Sequence, residues 1–183
     1  VMLAHGMGGC SESGYIKRIA SKLSTKGYGT FMINHRGSGH GMGLSSSLWN
    51  GGSSDDLDTM VRFILDKYPS VLLIGFSLSG NILLKYLGEG RTIPSGLIGA
   101  LAVNPPIDLR ITSHILSTHP SCWLFNRYYM RLIGHQARVL IKKWLGYTVI
   151  CCPVTLARTG VIKMMRLYYN QKGTKRRDRA ILP

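Results

Sequence analysis

A run of four apolar residues, Val71-Leu72-Leu73-Ile74, ends in Gly75-Phe76-Ser77-Leu78-Ser79-Gly80 and leads directly into Asn81-Ile82-Leu83-Leu84-Lys85-Tyr86-Leu87. A short apolar run closed by glycine reads as a buried strand, and the segment after it reads as a helix. Small residues flank Ser77 because strand and helix approach closely at such a turn, and the Ser79 hydroxymethyl is the smallest substitute after alanine for the glycine expected there. The turn would lift Ser77 Oγ clear of the backbone while the helix N-terminus directs amide dipoles at it. Serine is a weak nucleophile until it is positioned and deprotonated, so Ser77 is the candidate nucleophile. The same residues would also serve a tight turn with no chemistry, and context must decide.

The rest of the chain repeats this alternation of apolar runs and amphipathic segments, the pattern of a mostly parallel sheet flanked by helices. Strands are predicted at Val1 to Ala4, Thr30 to Asn34, Leu72 to Phe76 and Ala100 to Asn104. Helices are predicted at Glu12 to Lys26, Asp55 to Lys67 and Ser79 to Leu87, with Ser53, Ser54 and Asp55 as an N-cap region. Asp55, Asp56 and Asp58 suit the positive end of a helix dipole better than a metal. After Pro105-Pro106 the alternation stops, and Trp123 to Leu145 reads as an amphipathic cap or lid helix.

The first strand is followed by His5-Gly6-Met7-Gly8-Gly9. Acyl transfer builds negative charge on a carbonyl oxygen, which two preorganised N–H groups stabilise by several kcal/mol in a dry site. Leu78, the residue after the nucleophile, would supply one donor. Met7, on a glycine loop that lets the backbone approach a substrate, would supply the other. A phosphate cradle is disfavoured, since neither Gly-Lys-Ser/Thr nor G-x-G-x-x-G with a later acid is present. The loop Asn34-His35-Arg36-Gly37 follows the second strand on the edge where α/β sheets place their sites, and a structural role is expected for His35 and Arg36.

His5-Gly6-Met7-Gly8-Gly9 with Ser11-Glu12-Ser13 and Tyr15-Ile16, then Asn34-His35-Arg36-Gly37, Asp55-Asp56-Leu57, Gly75-Phe76-Ser77-Leu78 and Gly80 to Gly88 resemble the YheT-like α/β-hydrolases. That family comprises esterases and acylglycerol lipases. The resemblance runs from Val1 to about Asp108 and weakens toward Trp144. It implies a truncated α/β-hydrolase fold whose first strands are missing, with a partial hydrolase domain over 1–146, a lid from about 110 and a divergent basic segment over 147–183. It further implies serine-dependent hydrolysis of acylglycerol or short-chain acyl esters through an acyl-enzyme, with no metal and no organic cofactor.

A serine hydrolase also needs an acid and then a histidine after the nucleophile. Glu89, Asp108 and Asp178 are the only acids after Ser77, and His114, His119 and His135 the only histidines. None stands in the family's context, although Asp108, just past a strand, occupies a place where some relatives put the acid. The reaction is therefore expected to be incomplete in this chain.

Charge suggests the alternative. Residues 1–108 hold nine Lys or Arg against seven Asp or Glu, whereas 109–183 hold fourteen against Asp178 alone. A catalytically silent hydrolase-like protein could use that basic half to bind lipid, a membrane surface or a partner. No aromatic-basic platform for specific nucleic-acid recognition is evident in the first hundred residues. Cysteines 10, 122, 151 and 152 lack metal-ligand spacing, which suits a reducing, cytoplasmic setting with peripheral membrane association as the variant. The partner expected is a small-molecule or lipid ester.

Overall fold

The computed structural model describes residues 1–144; of Trp144 only the helical backbone is described. Four strands, β1 (Met2–Ala4), β2 (Phe31–Ile33), β3 (Val71–Phe76) and β4 (Leu97–Val103), form one parallel sheet in the order β2-β1-β3-β4. Helix α1 (Gly14–Ser24) joins β1 to β2, α2 (Ser54–Leu65) joins β2 to β3, and α3 (Leu78–Gly88) joins β3 to β4. Strand β1 is flanked on both sides, with Met2, Leu3 and Ala4 opposite Phe31, Met32 and Ile33 of β2 and opposite Leu73, Ile74 and Gly75 of β3. All three of its residues are buried, as expected of a parallel strand covered on both faces.

Strand alternation sends Leu3 and its neighbour Ile74 to one face, where they pack with Ile16 and Ala20 of α1. Helices α2 and α3 pack on β3 and on each other. Leu57, Val61 and Ile64 of α2 and Ile82, Leu83 and Tyr86 of α3 are buried. Each set recurs at helical spacing, so a single apolar stripe explains both the helix and its burial.

The described residues fall into two compact units that divide between Ile107 and Asp108. In the second, α4 (Leu109–Thr118) and α5 (Trp123–Trp144) pack on one another. Helix α5 matches the amphipathic segment predicted from Trp123. Helix α4 begins where the lid was expected, from about 110, but its end at Thr118, which separates it from α5, was not anticipated; Asp108, weighed above as an acid, is its N-cap, with Oδ1 accepting from the Ile111 N–H at 2.8 Å. The expected basic segment over 147–183, including Cys151 and Cys152, lies outside the described residues. Among the described residues no helix is long and apolar enough to cross a membrane.

Candidate active site

The strand–turn–helix around Ser77 forms as predicted, and its backbone is strained at the serine. Ser77 has φ 50° and ψ −119°, a left-handed conformation that a residue with a Cβ adopts at a cost of about 1–3 kcal/mol. Hydrogen bonds on either side hold it there. The Ser77 N–H donates to Val103 O of β4 at 2.8 Å, and Asn81 N–H donates to Ser77 O at 3.1 Å. Gly75 admits the tight approach that follows, since a Cβ there would lie 2.6 Å from the Ser79 carbonyl oxygen.

The glycine loop after β1 lies against this turn. A Cβ on Gly6 would stand 3.1 Å from Ser77 Cβ and 3.8 Å from Ser77 Oγ, so the absence of a side chain at Gly6 is what keeps the serine approachable from that direction. The loop is pinned from α1, where Tyr15 Oη accepts the Gly6 N–H at 2.8 Å while its ring meets Phe76 edge-on at 5.2 Å. Among the described residues no hydrogen bond engages the Met7 or Leu78 amide. Met7 follows Gly6 directly, and Leu78 is the first residue of α3. The structure places Ser77, Leu78 and the Met7 loop at one corner of the sheet.

Beside them lies a buried polar cluster. Ser79 is fully buried; its hydroxyl donates to His5 O, and His35 Nε2 donates to Ser79 Oγ at 2.6 Å. His5 Nδ1 donates to Gly6 O at 2.8 Å, which leaves Nε2 as acceptor for the His35 N–H at 3.4 Å. The His35 ring stacks on Trp49 with centroids 4.0 Å apart, and His5 meets both rings edge-on. Burial and the neighbouring His5 push His35 down to about pH 3, and burial lowers His5 as well, so both rings are neutral near pH 7. One hydroxyl thus ties the ends of β1 and β2 to the first turn of α3.

The family model described as the alpha/beta hydrolase fold matches residues 1–116. The chain belongs to the α/β-hydrolase fold family. It is 26% identical over 149 residues to the monoacylglycerol lipase of Saccharomyces cerevisiae, an alignment covering 80% of this chain and 32% of that protein. To abhydrolase domain-containing protein 2 of Drosophila melanogaster it is 31% identical over 152 residues, covering 78% and 36%. To monoacylglycerol lipase ABHD2 of Homo sapiens it is 33% identical over 92 residues, covering 49% and 22%. The chain spans about a third or less of the length of these relatives.

In this α/β-hydrolase the remaining charged residues near the sheet serve structure. Arg36 forms a two-pronged pair with Asp56, its Nε reaching Oδ2 at 2.7 Å, so the β2 loop is anchored to the first turn of α2. Arg91 binds Asp55 at 2.6 Å and also pairs with Glu89. Tyr86 donates to Asp58 at 3.0 Å; burial, foremost, pushes its phenol up to about 12. These carboxylates are held by cations, and no metal-binding group occurs among the described residues. The predicted N-cap region is placed correctly at Ser53, but Ser53 Oγ accepts from Asn50 N–H at 2.9 Å and makes no cap bond to the helix.

Two contributors were missed in the sequence. Tyr15 was read among the residues that carry the family resemblance, and nothing local marks its hydroxyl as the acceptor for Gly6. Ser79 was read as a tolerated small residue. Its departure from glycine was the signal, because a hydroxyl placed where glycine suffices implies a buried partner.

Proposed function

We infer that this α/β-hydrolase chain carries the nucleophile and oxyanion half of a serine-dependent carboxylic-ester hydrolase. The observation that carries the reading is the strained Ser77 backbone at the β3–α3 turn, beside a glycine loop that leaves its Oγ approachable. Ser77 Oγ would attack the ester carbonyl carbon, the carbonyl π pair would move onto oxygen, and the Met7 and Leu78 N–H groups would hold that oxyanion. Collapse would expel the alcohol, which takes up the serine proton, and leave an acyl-serine. Water would then add to the acyl carbonyl and release the acid and free Ser77. The names of the yeast and human relatives favour a monoacylglycerol as the ester, and a short-chain acyl ester suits the same chemistry.

Proton removal from Ser77 requires a base. Neither His5 nor His35 provides it: both nitrogens of His5 and Nε2 of His35 are committed to buried partners, and the lowered pKa of His35 makes its ring a weak base. A fluorophosphonate probe tests the nucleophile directly, because phosphonylation reports serine reactivity without requiring turnover. At alkaline pH, where hydroxide supplies the base, the full chain should be labelled at Ser77, with peptide mapping to that residue, and Ser77→Ala should abolish the label. Labelling that persists in Ser77→Ala, or an unlabelled parent chain, overturns the assignment.

A further inference from the structure

Large apolar side chains are exposed in both units, but in the α4–α5 unit they stand beside cations that have no acidic partners among the described residues. Ile111, Ile115, Trp123, Leu124, Phe125 and Tyr128 are each between 45% and 60% exposed. Interleaved with them are exposed Arg110, Arg127 and Arg131, and along α5 the exposed positions continue through His135, Arg138 and Lys142. Leu124, Tyr128, Arg131, His135, Arg138 and Lys142 follow one another at intervals of three or four, so they occupy one face of the helix. That face is aromatic and aliphatic at its start and cationic further on.

No Asp or Glu occurs between Asp108 and Asp178. Among the described residues none of these arginines or lysines makes an ion pair.

We propose that the exposed side chains of α4 and α5 dock on an anionic lipid surface, with the aromatic and aliphatic ones entering the headgroup–acyl boundary and the arginines meeting lipid phosphates and carboxylates. Exposed apolar side chains alone would suit many partners, and exposed cations alone would suit nucleic acid. The combination, with Asp108 at the start of α4 the only carboxylate of this unit among the described residues, is complementary to a surface that is itself charged outside and apolar within. Nucleic acid would use the cations and leave Ile111, Ile115 and Leu124 in water. Helix α5 would extend about 33 Å, but its five Arg and Lys keep it on the surface instead of across the bilayer. The proposal does not depend on Ser77.

The test uses the full chain and vesicles of phosphatidylcholine alone or with about 30% phosphatidylserine. Basic residues beyond 144 attract anionic lipid on their own, so the variants leave them intact. Sedimentation should show binding that requires phosphatidylserine. Trp123→Ser with Phe125→Ser should weaken it roughly tenfold or more at any salt concentration. Arg127→Gln with Arg131→Gln should weaken it roughly 25-fold at low salt and less at high salt. Circular dichroism matching the parent in both variants confirms folding. Binding unchanged in either double variant overturns the proposal, the basic residues beyond 144 then being responsible. It is equally overturned if single-stranded RNA binds as tightly as the vesicles, or if the Trp123 and Phe125 changes only dissolve a dimer.

Discussion

The corner around Ser77 and the α4–α5 unit satisfy their polar groups in opposite ways. Around Ser77, His5, His35 and Ser79 are buried, yet each has hydrogen-bond partners within the sheet and its loops. The α4–α5 unit leaves six large apolar side chains exposed, and it holds the two buried side-chain polar atoms that lack a partner among the described residues, Ser113 Oγ and Asn126 Oδ1. A network that closes on itself can hold a strained backbone, because any relaxation would orphan several groups at once. An unpaired face offers no such restraint and is suited to meeting something external.

The largest effect expected from this difference lies in the closed network. Ser79→Ala keeps the Cβ but removes the hydroxyl that links His35 Nε2 to His5 O, leaving a donor and an acceptor buried and unpaired. We expect a loss of about 2–3 kcal/mol in unfolding free energy, read from urea denaturation. Fluorophosphonate labelling of Ser77 should slow as well, since His5 begins the loop that carries Gly6 and Met7. A loss below about 0.5 kcal/mol would mean that the hydroxyl is not a structural tie and would remove the contrast between the two regions.

Much of this architecture was legible in the sequence, and the exceptions have physical causes. The runs Val71-Leu72-Leu73-Ile74 and Val1 to Ala4 mark buried strands because both faces are covered, so apolar residues need not alternate. Strand β4 begins at Leu97, three residues before the predicted start, because Gly99 interrupts the run and Ile98 and Leu101 are exposed, blurring the buried-strand pattern. The bounds of α4 within the lid expected from about 110 were missed because Ile111, Thr112, Ser113, Ile115, Ser117 and Thr118 are weak helix formers. Its N-cap, Asp108, was visible but read for chemistry. The positions of Ser77, Leu78 and the Met7 loop at strand ends were legible because each carries its own local signature. The Ser79 ties were invisible because their partners lie 44 and 74 positions away.

Acid should separate the regions by a somewhat smaller amount. His35 is held at about 3 in the fold, below the ordinary imidazole value of 6.5, so the unfolded chain takes up a proton that the folded chain refuses. The stabilisation from keeping His35 neutral is complete above pH 6.5 and is lost as pH falls from 6.5 toward 3, at up to about 1.4 kcal/mol per unit. Between pH 7.5 and 5 the unfolding free energy should fall by about 2 kcal/mol from this group, with His5 acting in the same direction. The check is urea denaturation at the two pH values for the parent and for His35→Gln. Gln keeps a side-chain donor but cannot titrate, so a pH dependence identical in the two proteins would show that His35 is not the group responsible.

The smallest effect is expected on the open face, and its smallness is the informative part. Trp123→Ser with Phe125→Ser removes two large side chains, which in a core would cost about 3–5 kcal/mol each. Both are more than half exposed, and their outward atoms already face water. The double variant should therefore change unfolding free energy by less than about 0.5 kcal/mol, since surface substitutions away from buried contacts rarely do more. A helix that tolerates this loss while losing lipid affinity uses these aromatic side chains for association and not for folding. If the same pair of substitutions destabilises the chain by about 2 kcal/mol or more, the two aromatic residues belong to a packed interior, and the distinction between a self-satisfied corner and an outward-facing helix pair fails at the residues that define it.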